Sequence, residues 1–135
     1  AEGIYAQRVN GSGMILWGSS GVCVCGASGA QQNPVLAADG SGGVYVAWQD
    51  DRSGNLDIYA QRVNASGAAQ WTANGVAVCT ATGIQQVPEI ASDLYGAYIT
   101  WMDARTGADI YAQKISPTGS MVAARAISMS FLAMW

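Results

Sequence analysis

Trp48-Gln49-Asp50-Asp51-Arg52, followed by Asp57, gathers an indole, a guanidinium and three carboxylates into a short stretch of a 135-residue chain. An aromatic ring beside carboxylate and guanidinium groups suits a sugar, which takes stacking on one face and directional hydrogen bonds at its rim. A pair of carboxylates about 5 to 10 Å apart is the minimum chemistry of a glycosidase. Asp50, Asp51 and Asp57 also supply oxygen ligands of the kind calcium takes, although they lack the dense aspartate spacing of known calcium loops. The chain has no histidine. Serine hydrolases and histidine acid–base schemes therefore lose their usual base, and a zinc site built on the three cysteines has no imidazole to complete it.

The same pattern returns as Trp101-Met102-Asp103-Ala104-Arg105, followed by Asp109. Of the fifteen charged residues, eleven recur at matching places: Asp39 with Asp93, Asp50 with Asp103, Arg52 with Arg105, Asp57 with Asp109, and Arg8 with Arg62 and Lys114. A catalytic site in one chain needs a single asymmetric constellation, whereas repetition is what a structural brace predicts. In such a brace the Asp accepts backbone N–H groups of its turn and the Arg bridges two carboxylates. Gly54 and Gly107 supply the positive φ that closes the turn. The residue that stays individual is Asp51, where the second copy has Ala104. The candidate ligand-binding set is Trp48, Asp50, Asp51, Arg52, Trp101, Asp103 and Arg105, with no catalytic residue, metal ligand or cofactor assigned. Both tryptophans end apolar strands, so packing between repeats competes with sugar stacking for their role.

The elements that carry these residues follow a period near 53. Tyr5, Tyr59 and Tyr111 lie 54 and 52 residues apart; Trp17 and Trp71, Pro34 and Pro88, and the pairs Gln31-Gln32 and Gln85-Gln86 repeat at 54. Four strands per copy can be read from alternation and turn residues. They are "PVLAAD" with "PEIASD", "GVYVAW" with "GAYITW", "DIYAQRV" with its copies from Ile4 and Asp109, and "GVAVC" with "GVCVC" and "AISMS". "ADGSGG" is a glycine-rich hairpin turn, and its second copy "SDLYG" is one residue shorter. In "VYVAW" both alternating sets are apolar, so both faces of this strand expect cover. Cys23 and Cys25 alternate with valines and read as small thiols sharing one buried face.

Periods of roughly 40 to 50 residues suit propeller blades, each a four-stranded antiparallel sheet. The expected fold is therefore all-β, with β-propeller-like blades, about 2.5 per chain. It divides into a half blade (1–25), one repeat (26–79) and a second repeat with a divergent tail (80–135). With half its residues apolar, 11% charged and 17 glycines, the chain fits many short strands and tight turns. Its net charge of −3 and six scattered basic residues exclude the phosphate-binding surface of a nucleic-acid partner. No stretch reads as a signal peptide, and the start at Ala1 fits a processed or trimmed terminus. The apolar run "AISMSFLAMW" is too short to span a membrane; it reads as a last strand whose Phe131 and Trp135 pack on a neighbouring chain.

The pattern "PEIASD…GAYITWMDARTGADIYAQKI" resembles the tandem repeats of large secreted or surface bacterial β-propellers, including those grouped with sialidase-like folds. The likeness extends to about Ser120, and its most specific element is "W-x-D-x-R-x-G…D-I-Y-A-Q". It implies a fold and a secreted or cell-surface location more firmly than an activity. The sialidase Asp box is only loosely echoed by Asp39 and Trp48, and the arginine triad of that family is not identifiable. Two and a half blades cannot close a ring. The expectation is therefore a homo-oligomer, cyclic or strand-exchanged at residues 1–25, acting as a non-catalytic module that binds carbohydrate or protein. The alternative is a glycosidase whose site is assembled between chains.

Overall fold

A computed structural model describes residues 2–122 and 129–130 of the chain. The protein is all-β with antiparallel pairing, and no helix among the described residues is long and apolar enough to cross a membrane. Strands β1 (Ile4–Ala6) and β2 (Val22–Cys25) make a two-stranded sheet. Strands β3 (Gln31–Ala38), β4 (Val44–Asp50), β5 (Asp57–Val63) and β6 (Val76–Cys79) make an up-and-down four-stranded sheet. Strands β7 (Gln85–Asp93), β8 (Gly96–Asp103) and β9 (Asp109–Ile115) repeat its first three places, and β10 (Met121–Val122) and β11 (Met129–Ser130) both pair with β9. The register repeats with the sequence. Trp48 faces Tyr59 and Asp50 faces Asp57 in one sheet, as Trp101 faces Tyr111 and Asp103 faces Asp109 in the other.

Most expected strands form where alternation places them, and the departures have local causes. The first strand of each repeat starts at the glutamine pair rather than at the proline. Gln31 faces Asp50 and Gln85 faces Asp103, and the register then slips across Asn33-Pro34 and Val87-Pro88. Proline cannot donate to the ladder, so the strand bulges around it, with Asn33 and Val87 at φ 52° and 54°. A further bulge breaks the common face expected of Cys23 and Cys25: Ile4 faces Cys25 while Tyr5 faces Cys23. The two thiols consequently leave their common face, Cys25 buried and Cys23 exposed. Of "AISMS" only Met129 and Ser130 are described, and Met129 takes the place opposite Ile110 that Cys79 takes opposite Ile58. Phe131 and Trp135 lie outside the described residues.

The central sheet is covered on both faces, as the double apolar alternation of β4 requires. Tyr45 and Ala47 join one core with Ile58, Ala60, Ala97, Ile99 and Trp101 of β5, β8 and their neighbours. Val46 and Trp48, one residue out of phase, join a second core with Ile4, Trp17, Val24 and Cys25 of the first sheet. The three sheets therefore stack face to face in chain order. At the end of the stack β8 reverts to one-sided burial: Ala97, Ile99 and Trp101 are buried, while Tyr98 points outward and is 38% exposed. The first strands are the most exposed parts of their sheets, with Leu36 65% exposed on β3.

Gly75 shows how closely the stack is packed. At φ 90°, a Cβ there would come within 2.6 Å of the Trp48 ring and 2.8 Å of the Ala60 carbonyl oxygen. Gly54, at φ 99°, has open space around it. Gly54→Ala should cost only the left-handed backbone penalty, about 1 kcal/mol, and Gly75→Ala about 3 kcal/mol or more, because core displacement adds to that penalty. Urea denaturation midpoints of the two variants check the difference.

Candidate functional site

Asp50 is fully buried at the end of β4, and its position is fixed by the last strand pair before the turn. One carboxylate oxygen, Oδ2, accepts the Trp48 indole N–H at 2.8 Å and Arg52 Nη2 at 2.5 Å. The other, Oδ1, accepts the Arg52 backbone N–H at 3.0 Å and its Nε at 2.8 Å. The guanidinium lies 3.8 Å over the Tyr59 ring. Its Nη2 also donates to the Cys25 sulfur of the preceding sheet at 3.2 Å and to the Asn74 carbonyl at 2.9 Å. Four groups, contributed by two neighbouring sheets and the Asn74 turn, thus meet on one arginine.

The second copy repeats the bonds to carboxylate, indole, tyrosine ring and thiol. Asp103 accepts the Trp101 indole at 3.0 Å, the Arg105 backbone N–H at 3.0 Å and Arg105 Nε at 2.9 Å. Arg105 lies 4.1 Å over Tyr111 and donates to Cys79 of the preceding sheet at 3.0 Å. The brace expected from the sequence is therefore present, with one correction. The arginine joins one carboxylate to a thiol of the neighbouring sheet and does not bridge two carboxylates, because Asp57 turns to Ser53 Oγ at 2.6 Å instead.

The remaining candidates also have structural employment. Asp51, the individual residue of the sequence, accepts the Ala30 backbone N–H, tying the entry of β3 to the β4–β5 turn. Trp48 and Trp101 are 0% and 1% exposed, so neither ring offers a face to a sugar. Asp50, Asp51 and Asp57 are spent on Arg52, Ala30 and Ser53, and among the described residues no group of three or more acidic, cysteine or histidine side chains is arranged to hold a metal ion. Among the described residues, three buried acceptors take no hydrogen bond: Gln31 Oε1, Gln85 Oε1 and Asp57 Oδ1.

At the opposite ends of the sheets a second latch joins neighbours. The Trp17 indole and Arg8 donate to the Ala65 carbonyl at 2.9 and 3.2 Å. The Trp71 indole and Arg62 donate to the Pro117 carbonyl, both at 3.0 Å. Arg62 also pairs with buried Asp39 at 3.0 Å, whose other oxygen accepts the Ser41 and Gly43 N–H groups. The last sheet breaks this pattern. There Asp93 accepts the Tyr98 hydroxyl at 2.8 Å, and Lys114 stands 5.6 and 5.2 Å from the Tyr95 and Tyr98 rings. Tyr95 and Leu94 are exposed beside them. The sequence does carry a signal for this patch: "SDLYG" departs from "ADGSGG", and Lys114 from Arg62.

Electrostatics follow the bonds. Burial pushes the Asp50 and Asp103 carboxyls up, but the hydrogen bonds from arginine and tryptophan outweigh it, and both lie below the usual range, Asp103 at about 2. Arg52 and Arg105 are raised by the same carboxylates. Burial pushes the Cys25 and Cys79 thiols up, so the guanidiniums meet neutral sulfur. A general acid needs the opposite displacement, a carboxyl raised toward neutrality.

Comparison with protein-family models, with curated proteins and with solved structures found no match.

Because the folded-state pKa of Asp103 is lowered from 3.8 to about 2, its contribution is fully present above pH 4 and is lost as pH falls through 2. The shift is worth about 2 kcal/mol. Stability measured by urea unfolding should fall between pH 4 and 2, and Asp103→Asn should flatten that part of the profile while costing about 3 kcal/mol at pH 7 by leaving Arg105 unpaired.

Proposed function

We propose that this chain is a non-catalytic scaffold and binding module, a β-propeller-like array of about two and a half blades that associates with further copies of itself. The observation that carries this reading is the duplicated brace. Both Trp-x-Asp-x-Arg corners spend their carboxylate, guanidinium and indole on joining one sheet to the next, and the carboxyls are held ionised by those bonds. That argues for a repeating joint and against the glycosidase alternative, which needs an acid with a raised pKa.

Ligand contact in this proposal moves away from Trp48 and Trp101 to the outer face of the last sheet. Tyr95, Tyr98, Lys114 and Asp93 combine aromatic faces with one cation and one carboxylate, the chemistry that a carbohydrate or a polar protein surface takes. The resemblance of the repeats carries with it a secreted or cell-surface location.

Size-exclusion chromatography with light scattering at micromolar concentration should give a multiple of the 14.0 kDa chain mass; a folded species at the single-chain mass overturns the self-association reading. Titration with a glycan panel, read by tyrosine and tryptophan fluorescence, should give responses that Tyr98→Ala abolishes and Trp48→Phe retains. A flat response to every sugar leaves the scaffold without a carbohydrate role.

A further inference from the structure

The leading end of the stack carries the shape of a strand pair. In both larger sheets the third strand pairs along its edge with the second, β5 with β4 and β9 with β8, and Arg52 and Arg105 lie over Tyr59 and Tyr111. In the first sheet the corresponding strand is β1, and among the described residues it pairs only with β2. Its Tyr5 is the counterpart of Tyr59 and Tyr111, yet it is 63% exposed.

Beside it runs a cleft of about 690 Å³, walled by Glu2, Gly3, Ile4 and Tyr5 on one side and by Gln31, Gln32, Asn33 and Pro34 on the other. One repeat further on, the same interval between β5 and β7 is occupied by β4 itself. There the backbone of β4 pairs with β5, and its Gln49 Oε1 accepts the Val87 N–H at 2.7 Å from the facing bulge. Asn33 is the counterpart of Val87 in sequence and conformation, φ 52° against 54°, each followed by proline. Both walls that hold β4 are thus present a second time around the cleft.

We propose that this cleft docks an antiparallel strand pair of the same repeat type, whose second strand ends in Trp-Gln-Asp-x-Arg. This rests on the reading of the chain as an array completed by further repeats. The incoming strand adds to the free edge of β1 by backbone hydrogen bonds, as an edge strand invites. Its tryptophan stands opposite Tyr5, its arginine lies on the Tyr5 ring, and its glutamine accepts the Asn33 N–H. Its aspartate meets Gly3, where Asp50 meets the second carboxylate Asp57 within its own sheet. The β4 sequence fits this role better than β8, because β8 has Met102 where β4 has Gln49.

An isolated hairpin is marginal in water, so the test joins residues 31–56 to the N-terminus of the full chain through a flexible Gly-Ser linker, which raises the local concentration. The fusion should melt several degrees above the full chain. That gain should vanish with Arg52→Ala in the added segment or with Tyr5→Ala in the chain, and should shrink with Gln49→Met in the added segment. A melting temperature equal to that of the full chain, or a gain indifferent to all three substitutions, overturns the proposal. The outcome is separable from self-association. A single-chain mass with a stabilised fusion removes the oligomer and keeps the docking site, whereas an oligomer that persists in Tyr5→Ala beside an unstabilised fusion does the reverse.

Discussion

A carboxylate taken out of water loses hydration worth many kcal/mol and is tolerated only where hydrogen bonds and a counter-charge replace it. Asp50 and Asp103 meet that condition with the same set of donors: an indole from two residues before, and a backbone N–H and a guanidinium from two residues after. The burial comes from the stack, and the stack is in turn held by the arginine, which reaches a cysteine of the preceding sheet. Neither part stands without the other. Replacing the arginine by lysine would keep a charge and lose the planar fork that serves carboxylate, sulfur and tyrosine face together.

The tryptophans link this constraint to packing. Trp48 ends a strand whose alternate residues enter two different cores, so its ring fills the joint between the first and second sheets while its N–H serves the second sheet's own aspartate. At the other end of each joint Trp17 and Trp71 aim their N–H groups at a carbonyl of the following sheet. Each joint is therefore pinned at both ends and filled with apolar groups between, and in the joint of the second and third sheets the small residues Ala47, Ala60 and Ala97 are fully buried or nearly so.

Much of this is legible in the sequence because period-2 alternation and turn residues are local. The doubled apolar pattern of β4 reads directly as cover on both faces, and the repeated charges read as a brace. What escapes is whatever depends on a partner distant in the chain. Nothing local to Arg52 points to Cys25, since the contact spans 27 residues and two sheets. Nor does Cys-x-Cys spacing reveal the bulge that separates Cys23 from Cys25. Tyr45 and Tyr98 occupy the same repeat position and differ in exposure, 1% against 38%, only because one has a following sheet and the other is at the end of the described stack. Asp51 is individual because the second copy has Ala104 in its place, and its role escapes the sequence because its partner, the Ala30 backbone N–H, leaves no side-chain signature.

The departures from the repeat are consequently more informative than the repeat. The joints within the chain use Trp17 or Trp71, an arginine beside it, and Cys25 or Cys79 from the preceding sheet. Counting forward 52 residues from Trp71 reaches Ala123, Arg62 is answered by Lys114, and Met129 holds the register place of Cys79. At these places the last sheet therefore carries none of the side chains that the internal joints draw from the sheet before them. Tyr5, the counterpart of Tyr59 and Tyr111, is exposed on the first sheet. The strand addition proposed at β1 would not need those latches from the last sheet, because it would draw on backbone pairing and on an arginine over Tyr5. For the self-association proposed above, these substitutions favour strand addition at β1 over stacking of whole copies.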